Sequence, residues 1–127
     1  MAHKITQRAQ FLEVEHFGAV SYTDRLAALD AVAEASSLSG PVPLLINLTE
    51  AFLTDDLQRD NRVYYMAKVI CHKFFDGRKV AMAGVTQAQA GPAMIAGAVR
   101  ETEFRVFEDR ESAVQWLTQP VRHRAQR

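Results

Sequence analysis

Residues 44–57 read LLINLTEAFLTDDL, a run that opens as a strand and closes as the start of a helix. The first five residues are apolar apart from Asn47, which is the pattern of a strand covered on both faces. Before them, SSLSGPVP at 36–43 gathers the residues that end helices and shape turns. After them, Val63, Ala67, Ile70 and Phe74 recur at helical spacing between residues 55 and 75, with Arg59, Arg62, Lys68 and His72 left for the wet side. A buried strand that runs straight into a helix is the unit of a parallel sheet, because parallel neighbours need a crossover.

The same alternation extends in both directions. FLEVEHF at 11–17 alternates Phe11, Glu13 and Glu15 with Leu12, Val14 and His16, a period-two pattern for a strand with one buried side. The short KIT at 4–6 can pair with it as a hairpin arm. Ser21 and Asp24 stand at capping-box spacing, and Leu26, Leu29, Val32 and Ala33 follow at helical intervals, so a first helix is expected over 22–37. DGR at 76–78 supplies a turn into KVAMAGV, a second buried strand. Gly91 and Pro92 open a further helical segment with Met94, Ile95 and Val99. EFRVF at 103–107 reads as a strand, and Asp109 caps a final helix in which Ala113, Trp116 and Leu117 share a face before Pro120.

Composition bounds what this chain does. Its 127 residues suit one domain, expected over residues 1–120, with VRHRAQR at 121–127 as a short basic tail that frays. Fifteen Lys and Arg balance fifteen Asp and Glu, so no overall field draws it to nucleic acid or to an anionic membrane. The lone Cys71 closes no intramolecular disulfide, and MAHKITQRAQ lacks the apolar core of a secretion signal, which makes the cytoplasm the expected compartment. The longest apolar-leaning stretch, VYYMAKVICHKFF at 63–75, is broken by Lys68, His72 and Lys73 and is too short for a transmembrane segment.

The order of these elements, with LLINLTE before a long helix, GRKVAMAGV after it and FRVFEDRESAVQWL near the end, resembles the SpoIIAA-like, or STAS-like, family of small bacterial proteins. The likeness covers residues 4–118, and the closing stretch from Val106 and Phe107 through Asp109 to Ala113, Trp116 and Leu117 is its best marker. The resemblance implies an α/β fold: a mixed, mostly parallel sheet of about five strands with an N-terminal hairpin, flanked by about four helices. It also implies binding or regulation without catalysis. Family members of the anti-anti-sigma type carry a phosphorylatable Ser in an Asp-Ser-Ser-Gly motif where the central strand meets the next helix. Here that junction runs from Thr49 to Asp56 without the motif, so the switch is not carried over. Other SpoIIAA-like proteins resemble the lipid-carrying CRAL-TRIO fold, which raises the prospect of an apolar small molecule beneath the helices.

Individual residues narrow the choice. Thr54 is placed to cap the helix at 55–75, with Asp55 and Asp56 at the positive end of its dipole. A phosphate on Thr54 would face those two carboxylates, so as a regulatory site it is a disruptive switch or a poor one. Cys71 and His72 are adjacent on a helix and diverge, so they make no nucleophile–base pair. His3, His16, His72 and His123 lack metal-ligand spacing and are read as surface or capping residues, so neither a metal nor another cofactor is expected. GVTQAQAGP at 84–92 has neither a phosphate-loop ending nor a dinucleotide fingerprint; Thr86, Gln87 and Gln89 offer only uncharged hydrogen bonds.

The helix at 55–75 has more apolar bulk than one sheet-facing stripe needs. Phe52, Leu53, Leu57, Tyr64, Tyr65, Val69, Cys71 and Phe75 therefore form the candidate surface for a ligand or partner. A neighbouring helix, a second copy of the chain, another protein and a lipid-like ligand are the candidate occupants. The rival reading is an enzyme built on Asn47, Thr49, Glu50, Asp55 and Asp56 at the strand end, a set with no convincing nucleophile–base pair.

Overall fold

The computed structural model describes residues 2–35, 42–54, 79–86 and 103–119. Five strands form one sheet in sequence order: β1 (Ala2–Gln7), β2 (Leu12–Val20), β3 (Leu44–Leu53), β4 (Val80–Ala83) and β5 (Phe104–Phe107). β1 and β2 pair antiparallel as a hairpin, and the three remaining pairs are parallel. The mixed, mostly parallel α/β sheet expected from the element order is the one observed. Two helices accompany it among the described residues, α1 (Tyr22–Ala35) between β2 and β3 and α2 (Arg110–Thr118) after β5. The helices expected at 55–75 and from Gly91 onward lie outside the described residues, as does the tail at 121–127.

Local chemistry sets the helix starts. Ser21 Oγ accepts the Asp24 N–H at 3.0 Å while Asp24 Oδ2 accepts the Ser21 N–H at 3.0 Å, the reciprocal bonds that the Ser-x-x-Asp spacing predicts. Asp109, in an extended backbone conformation, accepts the Ser112 N–H at 2.7 Å and starts α2. At the other end of α2, which carries no basic residue in its last turn, Lys79 donates to the Trp116 carbonyl at 2.8 Å. Its ammonium also lies 4.4 Å from the Trp116 ring centre, so one cation serves both the negative helix end and the aromatic face.

The core divides into two layers, one on each side of the sheet. On the α1 side, Leu12, Val14, Leu44, Ile46, Leu48, Val80 and Met82 meet Ala28, Leu29 and Val32 of the helix. On the α2 side, Phe11, Leu45, Ala81 and Ala83 meet Ala113 and Leu117. The continuous apolar run of β3 is thus explained, since Leu44 and Leu45 point to opposite layers and both are fully buried. Each such side chain contributes about 2 kcal/mol by leaving water. The expected one-sided pattern over 11–17 does not hold: Phe11 and Glu13 are buried along with Leu12 and Val14, Phe11 in the α2-side layer and Glu13 bonded by the Arg110 side chain of α2.

β3 also runs farther than LLINL. Its second half, from Glu50 to Leu53, pairs with Phe17 to Val20, and the Thr54 N–H donates to the Val20 carbonyl at 2.9 Å. The register shifts at one point, where Glu15 and Phe17 oppose Asn47 and Glu50, so β3 carries one extra residue around Leu48 and Thr49. Gly84, at the end of β4, presses against that bulge. Its φ is +93°, and a Cβ there would stand 2.7 Å from both the Leu48 carbonyl carbon and the Thr49 nitrogen. Gly18 has φ +69° but open space around it. Gly84→Ala is therefore expected to lose about 3 kcal/mol in urea unfolding and Gly18→Ala about 1 kcal/mol, the difference being the backbone clash.

Candidate functional site

Where β2, β3 and α2 meet, a carboxylate sits in the interior. Glu13 is fully buried and accepts four charge-assisted or polar bonds. Arg110 clasps it with two nitrogens, Nη2 to Oε1 at 2.8 Å and Nε to Oε2 at 2.9 Å. Arg8 Nε reaches Oε1 at 2.9 Å from the turn between β1 and β2, and Asn47 Nδ2 reaches Oε2 at 3.0 Å from β3. Burial by itself would push the Glu13 carboxyl up, but the hydrogen bonds from Arg110, Asn47 and Arg8, with the Arg110 charge, hold it down at about 2. The same pairing raises the Arg110 guanidinium against its partial desolvation.

Asn47 links this interior group to the surface. Its Oδ1 accepts both the Thr49 N–H at 3.0 Å and the Thr49 hydroxyl at 2.7 Å, which fixes the bulge in β3. Of the polar set at the strand end, the fold therefore joins Asn47 and Thr49, leaves Glu50 exposed and apart from them, and Asp55 and Asp56 lie outside the described residues. The residue that anchors Asn47, Glu13, was missed because a glutamate in an alternating strand reads as solvent-facing. Its partner Arg110 stands 97 residues away.

The apolar candidates divide similarly. Phe52 is exposed at 62% near the end of β3, and Phe17 at 38% on β2. Phe17 opposes Glu50 and Ala19 opposes Phe52, so the two rings are diagonal neighbours on one face of the sheet. Leu53 closes β3, and Thr54, half-buried, extends the pairing through its backbone. The helix that Thr54 was expected to cap, with Leu57, Tyr64, Tyr65, Val69, Cys71 and Phe75, lies outside the described residues.

His16 corrects a sequence expectation. It is buried, not a surface or capping residue, and its ring centre is 6.0 Å from that of His3, directly across the hairpin. Burial, then the neighbouring His3 and Arg25 charges, lower its proton affinity to about 4, with Asp24 opposing in part. No group of three or more His, Cys, Asp or Glu is placed to hold a metal among the described residues. None of their helices is long and apolar enough to cross a membrane.

These two buried groups set a pH dependence. His16 takes up its proton near 6.5 when unfolded and only near about 4 when folded, so stability is complete above that window and falls as the pH drops through it. Glu13, ordinarily near 4.5, stays ionised in the fold down to about 2, so its contribution is lost over that lower window as the pH falls. Each is worth roughly 3 kcal/mol. Urea midpoints taken from neutral pH to about pH 3 are expected to fall in two stages, with His16→Gln removing the upper one.

No family model matches the chain, and no curated protein matches it. Among solved structures, it is similar to an uncharacterized protein of the DUF3478 family with a SpoIIAA-like fold from Shewanella loihica PV-4, at 21% sequence identity and a TM-score of 0.53. The match covers 91% of this chain and 92% of that one. The likeness first read from LLINLTE, GRKVAMAGV and FRVFEDRESAVQWL is thus a likeness of architecture: this chain has a SpoIIAA-like α/β fold.

Proposed function

We propose that this protein is a non-enzymatic binding or regulatory module of the bacterial cytoplasm, acting through protein–protein contact at the open end of the β2–β3 pair. The observation that carries this reading is the placement of Phe17 and Phe52 side by side on adjacent strands, both exposed. Two neighbouring phenylalanines left in water are an unfavourable arrangement unless something covers them in use. They sit toward the carboxyl ends of parallel strands, the side on which open α/β sheets present their sites. The partner is a second copy of the chain or another protein.

The polar interior supports a role without catalysis. Glu13 has both oxygens engaged and stays ionised, so it neither gives nor takes a proton near neutrality. The Thr49 hydroxyl donates to an amide oxygen, which is no general base.

Native mass spectrometry and light scattering of the wild-type protein are expected to show self-association or a stoichiometric protein complex. The double variant Phe17→Ser, Phe52→Ser is expected to weaken that association by about 100-fold, since each ring is worth more than 1 kcal/mol at the centre of an interface. Circular dichroism should be unchanged, because neither ring belongs to the core. Association as strong in the double variant as in the wild type overturns the proposal.

A further inference from the structure

The buried carboxylate of Glu13 carries one negative charge, yet two guanidiniums close on it. Arg110 alone satisfies it as a two-pronged partner, and Asn47 fills a further position on Oε2. Arg8 adds a second positive charge on the same oxygen, Oε1, that Arg110 Nη2 occupies. Two nitrogens that share one acceptor lie no farther apart than two hydrogen-bond lengths, so the guanidiniums stand side by side. Left to themselves, like charges this close repel; the buried carboxylate between them holds them in place.

Both arginines also reach the surface, with side chains 40% and 41% exposed. Among the described residues, every side-chain hydrogen bond that Arg8 and Arg110 make goes to Glu13. The two terminal nitrogens of Arg8 and the remaining one of Arg110 make no hydrogen bond to a described residue, and the two guanidiniums with Glu13 alone sum to one positive charge. Glu15 acts on Arg110 at longer range, and Glu108, Asp109 and Glu111 are exposed near the start of α2. The Asp109 carboxylate already takes the Ser112 N–H, so the helix terminus offers an anion little, and attraction must come from the guanidiniums.

We propose that Arg8 and Arg110, locked together by Glu13, form a binding site for a phosphate group, either free phosphate or the phosphoryl end of a small monoester. Three terminal guanidinium nitrogens match three phosphoryl oxygens, whereas a carboxylate offers two. The binding is pre-organised, because the flexible arginine side chains are already ordered by the buried acid before the ligand arrives. This site uses neither Phe17 nor Phe52 and stands whether or not those rings meet a protein.

The test is a titration of the full chain with inorganic phosphate at constant ionic strength, following the Nε–Hε signals of Arg8 and Arg110 by NMR. Phenyl phosphate is titrated in parallel to distinguish a monoester from the free ion, and acetate serves as the carboxylate control. Saturable shifts confined to these two arginines and their neighbours are expected with at least one phosphate probe. Arg8→Gln should weaken binding at least about tenfold while Glu13 keeps Arg110 and Asn47 and the fold persists. Arg8→Lys, which keeps the charge but not the fork, should fall between the two and serves if the Gln variant does not fold. Phosphate shifts that do not saturate, equal affinity in Arg8→Gln, or acetate binding as tightly as both phosphate probes each overturn the proposal.

Discussion

A carboxylate buried between a sheet and a helix holds this structure in register. Glu13 draws together Arg8 from the hairpin turn, Asn47 from β3 and Arg110 from the first turn of α2. An ionised acid in the interior is tolerable only when each oxygen is hydrogen-bonded and its charge is answered, and here both conditions hold. Removing Arg110 would leave the buried charge without its two-pronged partner, a cost far larger than the net worth of the bonds themselves. Apolar packing alone would let α2 shift over the small residues Ala81, Ala83 and Ala113; the directional bonds to Glu13 give it one position.

The same interaction reaches the surface in two directions. Through Asn47 it fixes the Thr49 backbone and hydroxyl, and so the bulge against which Gly84 is pressed. Past that bulge β3 continues beside Phe17 and ends at the exposed Phe52, so the apolar patch is displayed by a strand whose register is set from the interior. Through Arg8 and Arg110 it orders two cations at the surface on the α2 side. A satisfied polar network of this kind rigidifies the surfaces it reaches, which lowers the ordering cost of any contact the proposed role requires.

Much of the architecture was legible in the chain because it rests on local chemistry. The Ser21 and Asp24 pair and the Asp109 cap are bonds between residues three apart, readable from spacing. The two-sided burial of Leu44 to Leu48 follows from an unbroken apolar run. The candidate site was less legible. Asn47 and Thr49 were singled out as polar residues at a strand end, but Glu13 was not, since its alternation with Leu12 and Val14 marks it as facing water. His16 was likewise placed at the surface. Glu50 to Phe52 fell within the junction between strand and helix because Glu and Ala do not announce a strand, and only pairing with Phe17 to Ala19 makes them one.

The sequence by itself determined the succession of the described strands and helices, the starting points of α1 and α2 and the resemblance to a SpoIIAA-like architecture, because periodicity, capping and turn chemistry act over a few residues. The tertiary structure decided which face of β2 is wet, how far β3 extends and where the charges meet. Those outcomes depend on contacts as distant as Glu13 and Arg110, which no short window of the chain contains. Burial is a property of what a neighbouring element covers, and α2 covers a glutamate only because an arginine at its first residue arrives with it.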